Sequence, residues 1–190
     1  MISKSARLFL LLAAACLTAH AQNQTTLSDS KYLGWSSDKL SNGLVDVQVV
    51  PEIGGRIMQY TLGKKEFLWV NPKLAGKSPS ATGLAGDGGW LNYGGDKLWP
   101  APQGWDNDQQ WPGPPDAVLD GQPYKLKKLK SVSGETALQL ESRKDQRSGI
   151  QFSRVVRIFD GSTRVSFDAT MTNIDNKPRR WGLDYQRVLY

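Results

Sequence analysis

The sequence predicts an all-β fold, an antiparallel β-sandwich, and three observations carry that prediction. Apolar and polar residues alternate in several stretches, as at Val45, Val47 and Val49, which is the period of a strand with one buried face. Glycine-containing turns separate these stretches at short intervals. After the first 21 residues, no segment carries the 3.6-residue apolar period of a helix. This pattern favours sheet packed on sheet.

The predicted strands come in two groups. In the first group, residues 45–49, 56–62 and 66–70 form a three-strand meander, and PEIGG (51–55) and GKK (63–65) are its turns. Each strand is followed closely by the next, which is the arrangement expected of hairpin-connected antiparallel strands.

The second group has the same character. Its strands are residues 135–142, IQFSRVVRIF (150–159) and TRVSFDATMTN (163–173), which are rich in β-branched and aromatic residues. DGS (160–162) predicts a tight hairpin turn, because Asp-Gly supplies the positive φ that such turns need.

Between the two groups lies a long stretch, residues 71–122, with little periodicity. Loops of this length in a compact domain are functional or disordered. Disordered segments are poor in aromatic residues, whereas this stretch contains Trp90, Trp99, Trp105 and Trp111. We therefore expect an ordered excursion from the β scaffold that carries functional residues.

The fragment NYGGDKLWPAPQGW (92–105) combines the residue types of a carbohydrate site. Aromatic faces cover the apolar C–H faces of a sugar, and amide, carboxylate and cationic groups bond its hydroxyls. The predicted sugar-binding residues are Arg56, Trp90, Asn92, Tyr93, Asp96, Lys97, Trp99 and Trp105. The alternative is a structural role for the same residues. The aromatic side chains then pack this stretch against the sheet, Gly94-Gly95 form a turn, and Arg56 pairs with Glu52.

The first 21 residues have the pattern of a secretory signal peptide. Lys4 and Arg7 precede an apolar run of ten residues (8–17), which is too short to span a bilayer. Ala19-His20-Ala21 matches an A-x-A cleavage site. We expect a periplasmic or secreted protein without a stable membrane span. The alternatives are a buried N-terminal helix and a lipoprotein anchored through Cys16.

Cleavage after Ala21 leaves a lead-in, residues 22–30, that we expect to be disordered, and one domain, residues 31–190. It also removes Cys16 and His20, the only Cys and His of the chain. Without thiol or imidazole, Ser-His-Asp triads, cysteine nucleophiles and His-ligated metal sites are excluded. Acid–base chemistry is left to Asp, Glu, Lys and Tyr. We expect no cofactor and no bound metal.

The charge of the chain is mild, with a formal net charge of +6 at pH 7. The basic residues are scattered and form no basic stripe with stacking aromatic residues. The sequence therefore does not predict a nucleic-acid partner. The one basic cluster, YKLKKLK (124–130), alternates lysines with Leu126. It favours a solvated strand face over a site for a polyanion.

Four segments of the chain resemble a family of secreted bacterial domains of unknown function. That family is placed in the galactose-mutarotase-like superfamily, which is related to aldose 1-epimerases. The segments are 49–72, 92–105, 111–124 and 148–175, and the resemblance covers residues 32–182. It implies a large β-supersandwich with a carbohydrate-facing cleft, of which the NYGGDKLWP loop forms part of the wall.

Two departures from that family matter for function. Aldose 1-epimerases use a His acid and a late Glu base, and no His remains here after the first 21 residues. The chain also stops at residue 190, where the fold of the family continues. We therefore expect a sandwich that is incomplete at its C-terminus and that self-associates through exposed sheet edges.

The sequence thus predicts an exported carbohydrate-binding domain, and it leaves two other functions open. One is a carbohydrate epimerase or mutarotase-like enzyme, with a carboxylate from Asp96 or Glu52 in its acid–base pair. The partner of that carboxylate is then Lys97 or Tyr93. The other function is a structural domain of the cell envelope.

Overall fold

The computed structural model describes residues 24–79, 91–102 and 118–189, which form eleven strands in three antiparallel sheets. The first sheet holds, in order, β1 (Thr26–Tyr32), β2 (Trp35–Ser41), β3 (Val45–Val50), β4 (Arg56–Leu62) and β5 (Lys65–Glu66). The second sheet consists of β7 (Lys125–Lys128), β8 (Glu135–Glu141), β9 (Ile150–Phe159) and β10 (Val165–Asn173), in the spatial order β10-β9-β8-β7. The third pairs β6 (Asp96–Ala101) with β11 (Gly182–Arg187).

The strands with the clearest alternation line the core, which confirms the predicted all-β fold. Val45, Val47 and Val49 are buried on β3, and buried residues alternate with half-buried ones along the whole of β9. One apolar core joins these faces of the first two sheets and includes Val47, Val49, Phe152 and Val156. The two sheets therefore form a sandwich. Within the described ranges, no helix has the length and apolar character needed to cross a membrane.

The pair β6–β11 lies beside the first sheet. Single bridges join Leu68 to Leu189 and Val70 to Gly94, and the backbone N–H of Trp69 donates to the carbonyl of Val188 over 3.0 Å. Strand β6, which lies within the long stretch 71–122, also contacts the start of β4, where the backbone N–H of Ile57 donates to Asp96 Oδ1 over 2.7 Å.

The strand predicted at 66–70 is shorter than expected. Only Lys65–Glu66 pairs with β4, as β5. The side chain of Gln59 supplies the reason, because its Oε1 accepts hydrogen bonds from the backbone N–H groups of Phe67 and Leu68 over 3.2 and 2.9 Å. The N–H of Phe67 still reaches the carbonyl of Tyr60 on β4 over 3.1 Å, whereas the N–H of Leu68 is bonded by the side-chain amide instead of the strand.

The lead-in expected to be disordered at 22–30 belongs to strand β1 from Thr26 onward. All seven residues of β1 pair with β2, and Leu27 packs against the main core. Within the basic cluster 124–130, Lys125–Lys128 forms β7, with Leu126 against the same core and the three lysines of the strand exposed. The predicted signal peptide, Cys16 and His20 lie outside the described residues.

Candidate functional site

The guanidinium of Arg56 is the centre of the candidate site. Arg56 is the first residue of β4 and is 1% exposed. Its Nη2 donates to Asp120 Oδ1 over 2.6 Å, and its Nη1 donates to the carbonyl of Gly94 over 3.0 Å. Arg56 therefore ties the start of β4 to the residues on either side of segment 103–117. Its ion-pair partner is Asp120 rather than Glu52, which accepts a hydrogen bond from Ser78.

Two glycines let the backbone approach this site closely. Gly54 has a φ of 63°, and a Cβ there would lie 2.4 Å from the carbonyl oxygen of Asp120. Gly94 has a φ of 88°, and its Cβ would lie 2.2 Å from the carbonyl oxygen of Trp69. Both positions need the left-handed region that favours glycine. The predicted role of Gly94 in a close backbone turn therefore agrees with the packing around Arg56.

Strand β6 sends successive side chains to opposite faces, as the period of a strand requires. Asp96 contacts Arg154 on one face, where Leu98 joins the main core. On the other face, the indole Nε1 of Trp99 donates to Asp120 Oδ1 over 2.8 Å, and Lys97 Nζ lies 5.1 Å from the centroid of the Trp99 ring.

The residues on the second face form what we call the Lys97 cluster: Arg56, Lys97, Trp99 and Asp120. Lys97 is 4% exposed. Burial, followed by the charge of Arg56, lowers the pKa of Lys97 to about 8, and Asp120 opposes this shift. At pH 8 about half of the Lys97 side chains are therefore neutral. The cluster brings together an aromatic ring, a carboxylate and an amine that titrates near neutral pH.

The residues on the first face form the Asp96 cluster: Asp96, Arg154 and Tyr185. Asp96 is fully buried and accepts both terminal nitrogens of Arg154 in a bidentate ion pair. Its carboxylate also accepts the backbone N–H of Ile57 over 2.7 Å and the hydroxyl of Tyr185 over 3.1 Å. These bonds occupy the carboxylate, and the strand separates it from Lys97. Asp96 and Lys97 are therefore not an acid–base pair in this structure.

Two further predicted residues have packing roles. Tyr93 is buried in a smaller core, with its ring centroid 6.3 Å from that of Trp35, and burial raises the pKa of its hydroxyl. Asn92 accepts the backbone N–H of Gly94 on its Oδ1, and its carbonyl accepts the side-chain amide of Asn71. Both residues shape the backbone that leads into β6.

The structure thus brings Arg56, Lys97 and Trp99 together, and it places Asp96 on the opposite face of β6. Trp90 and Trp105 lie outside the described residues. Among the described residues, no group of three or more His, Cys, Asp or Glu side chains is placed to hold a metal ion.

Sequence reasoning missed three residues of these clusters: Asp120, Arg154 and Tyr185. Arg154 had a usable signal, because it falls in phase with Phe152 and Val156 on the buried face of β9. A charged residue in such a position requires a buried partner. Asp120 falls in segment 111–124 of the family resemblance, but it lies in a turn without periodic pattern, so the sequence did not mark it as a partner of Arg56.

Comparison with known proteins places both clusters inside one family domain. A search of curated proteins found no match to the chain. A family model, by contrast, matches residues 37–188. This range begins within β2 and extends beyond the end of β11, so it contains both the Lys97 cluster and the Asp96 cluster. The chain therefore belongs to the family described as a domain of unknown function (DUF4380).

Proposed function

We propose that this protein is an exported carbohydrate-binding domain of the galactose-mutarotase-like type, with the Lys97 cluster at the base of its sugar site. The observation that carries the proposal is the meeting of Lys97, Trp99 and Asp120 on one face of β6. An aromatic ring, an ammonium group and a carboxylate are the groups that bind the C–H faces and the hydroxyls of a sugar.

The position of the cluster in the chain supports the same proposal. It joins two described segments, 91–102 and 118–124, that are consecutive except for residues 103–117. The sequence between them contains Trp105 and Trp111. Trp105, one of the predicted sugar-binding residues, therefore lies in the sequence that connects Trp99 to Asp120.

One observation favours a second candidate function, a carbohydrate enzyme with Lys97 as acid or base. Its pKa of about 8 suits proton transfer near neutral pH. The carboxylate nearest to it in the Lys97 cluster is Asp120, which is paired with Arg56, whereas Asp96 is engaged by Arg154. This arrangement favours binding over the acid–base pair with Asp96.

The test is a titration of the purified chain with hexoses, uronates and short oligosaccharides, followed by intrinsic Trp fluorescence. We expect a saturable change with at least one sugar. Lys97→Gln should weaken binding about tenfold, because it removes a charged hydrogen-bond donor. The matched control is Lys125→Gln, an exposed lysine of β7, which should leave the affinity unchanged.

Each result separates the candidate functions. Absence of a saturable change in a chain shown to be folded by circular dichroism would contradict sugar binding and leave a structural role. Accelerated interconversion of sugar anomers, abolished by Lys97→Gln, would identify the enzyme. Export is tested by mass spectrometry of the protein recovered from a bacterial periplasm, where we expect an N-terminus at Gln22. A chain that still carries residues 1–21 would contradict it.

A further inference from the structure

A second candidate site lies away from the Lys97 cluster. A cavity of about 460 Å³ is lined by residues of the first sheet and of β10 and β11. We call it the Arg187 cavity. Most of its wall is apolar, with contributions from Val47, Ile57, Leu68, Val165, Phe167 and Leu189. This volume falls within the range of small-molecule sites.

Two aromatic pairs contribute to the walls of the Arg187 cavity. Tyr60 and Phe67 have ring centroids 5.3 Å apart, and Phe167 stacks on Tyr185 with centroids 4.6 Å apart. The rings give the cavity flat, largely apolar surfaces, which suit the body of an apolar ligand.

The tyrosine hydroxyls of this wall are already used by the protein. Tyr60 donates to the carbonyl of Thr163 over 2.8 Å, and Tyr185 donates to Asp96 over 3.1 Å. A ligand in the cavity therefore finds neither hydroxyl proton free. This disfavours a ligand with many hydroxyl groups, since buried hydroxyls without partners are unfavourable.

The cavity also has a cation. Arg187 lines it and is exposed, with its guanidinium 5.8 Å from the centroid of the Tyr185 ring. The ion pairs between described residues do not include Arg187. A guanidinium that has no carboxylate partner among the described residues is available to a ligand carboxylate, whose geometry it matches.

We propose that the Arg187 cavity binds a medium-chain alkyl carboxylate. The alkyl chain lies among the apolar side chains, and the carboxylate bonds to Arg187. Charge complementarity at Arg187 fixes the sign of the ligand, and the mostly apolar wall fixes the apolar character of its body. The inference does not depend on the sugar site, because none of the four residues of the Lys97 cluster lines this cavity.

The experiment is isothermal titration calorimetry of the full chain with sodium decanoate below its critical micelle concentration. We expect saturable binding of one decanoate to this site. Arg187→Gln should raise the Kd about tenfold, because the charged hydrogen bonds to the carboxylate are lost. The uncharged 1-decanol should bind wild type and Arg187→Gln with equal affinity.

The matched control is Arg164→Gln. Arg164 is also an exposed arginine over an aromatic ring, 3.9 Å from the centroid of Phe159, but it does not line the cavity. Its substitution should leave the Kd for decanoate unchanged. A second variant, Val165→Trp, fills the cavity from β10 and should abolish binding of both decanoate and 1-decanol.

Three results would overturn the proposal. The first is no saturable heat from a folded wild-type chain. The second is an equal effect of Arg187→Gln and Arg164→Gln, which would indicate non-specific attraction between charges. The third is a dimer in sedimentation whose formation excludes decanoate, because a second copy then covers the cavity. Arg187→Gln changes an exposed side chain, so the test holds even if Val165→Trp does not fold.

Discussion

The bidentate pair between Asp96 and Arg154 is a buried charge pair in the middle of an apolar core. Both side chains are fully buried, and Arg154 also lies over the ring of Phe167, 4.5 Å from its centroid. Removing one charge from such a pair leaves the other without compensation in a medium of low polarity. We therefore predict that Asp96→Asn lowers the free energy of unfolding by about 3–5 kcal/mol, measured by chemical denaturation.

The control for this substitution is Asp168→Asn. Asp168 pairs with Arg157 on the exposed side of β9 and β10, where both side chains reach solvent. Solvent screens that pair, so its loss should change the free energy of unfolding by about 0–1 kcal/mol. An equal loss of unfolding free energy in the two variants would contradict the prediction that burial makes the Asp96–Arg154 pair the more important of the two.

The lowered pKa of Lys97 predicts how the free energy of unfolding depends on pH. Its ordinary pKa is 10.5, and burial and the charge of Arg56 lower the pKa in the folded chain to about 8. Between pH 8 and 10.5 the unfolded chain therefore binds more protons than the folded chain, so the free energy of unfolding rises with pH in this window. Relative to Lys97→Met, the wild type should gain stability from pH 8 to 10.5.

Thermal unfolding of both proteins at a series of pH values measures this difference. Lys125→Met serves as the control, because Lys125 is exposed on β7 and its substitution should leave the pH dependence as in the wild type. A difference between wild type and Lys97→Met that stays constant across the window would contradict the lowered pKa of Lys97.

At the scale of single elements, the turn before β6 depends on Gly94. A Cβ at this position would lie 2.2 Å from the carbonyl oxygen of Trp69, and the φ of 88° is unfavourable for any L side chain. Gly134 has a similar φ of 82° but has no atom within 4 Å of its Cβ position. Comparing an alanine substitution at Gly94 with one at Gly134 therefore separates the cost of the clash from the cost of the backbone strain.

We predict that Gly134→Ala lowers the free energy of unfolding by about 1–2 kcal/mol, from backbone strain alone. Gly94→Ala should lower it by about 1–3 kcal/mol more, because the backbone of Trp69 has to move. Urea denaturation of both variants measures the difference. Equal effects would mean that the contact between Gly94 and Trp69 relaxes without a penalty.

The elements that the sequence predicted well are those rich in apolar, β-branched and aromatic residues. Strands β4 and β9 begin and end where this composition predicts, although burial alternates along β9 and the first four residues of β4 are all buried. Strand β6 was hidden because its sequence, DKLWPA, does not alternate apolar and polar residues and contains Asp96 and Pro100, which are depleted in strands. Strands β1 and β11 were hidden for a different reason, since neither contains a fully buried residue.

The candidate site was predictable to the extent that local sequence carries it. Lys97 and Trp99 are two residues apart on a strand, so they share a face wherever that strand lies. The pairing of Arg56 with Asp120 joins residues that are 64 positions apart. The local apolar pattern around neither residue indicates this pair. Long-range ion pairs follow from topology, which the local pattern does not specify.

At the scale of the whole molecule, a large apolar side chain remains exposed on β11 outside the Arg187 cavity. Leu183 is 40% exposed and does not line the cavity. Apolar surface of this kind promotes association. We therefore predict that the chain self-associates, and sedimentation velocity at a series of protein concentrations measures this.

Leu183→Lys should weaken self-association, because it places a charge on the apolar surface of β11. Val132→Lys is the matched control, since Val132 is also exposed but lies outside β11. A monomer at all concentrations, with a reversible and concentration-independent thermal transition, would contradict self-association.

Tyr185 belongs to two environments at once, because its hydroxyl bonds to Asp96 while its ring lines the Arg187 cavity. Truncating this side chain removes a hydrogen bond from a buried ion pair and a wall from the cavity in one step. Energies measured at Tyr185 are therefore not additive with those at Asp96 or Phe167. The hydroxyl and the ring have to be separated by a double-mutant cycle that uses Tyr185→Phe, which retains the ring.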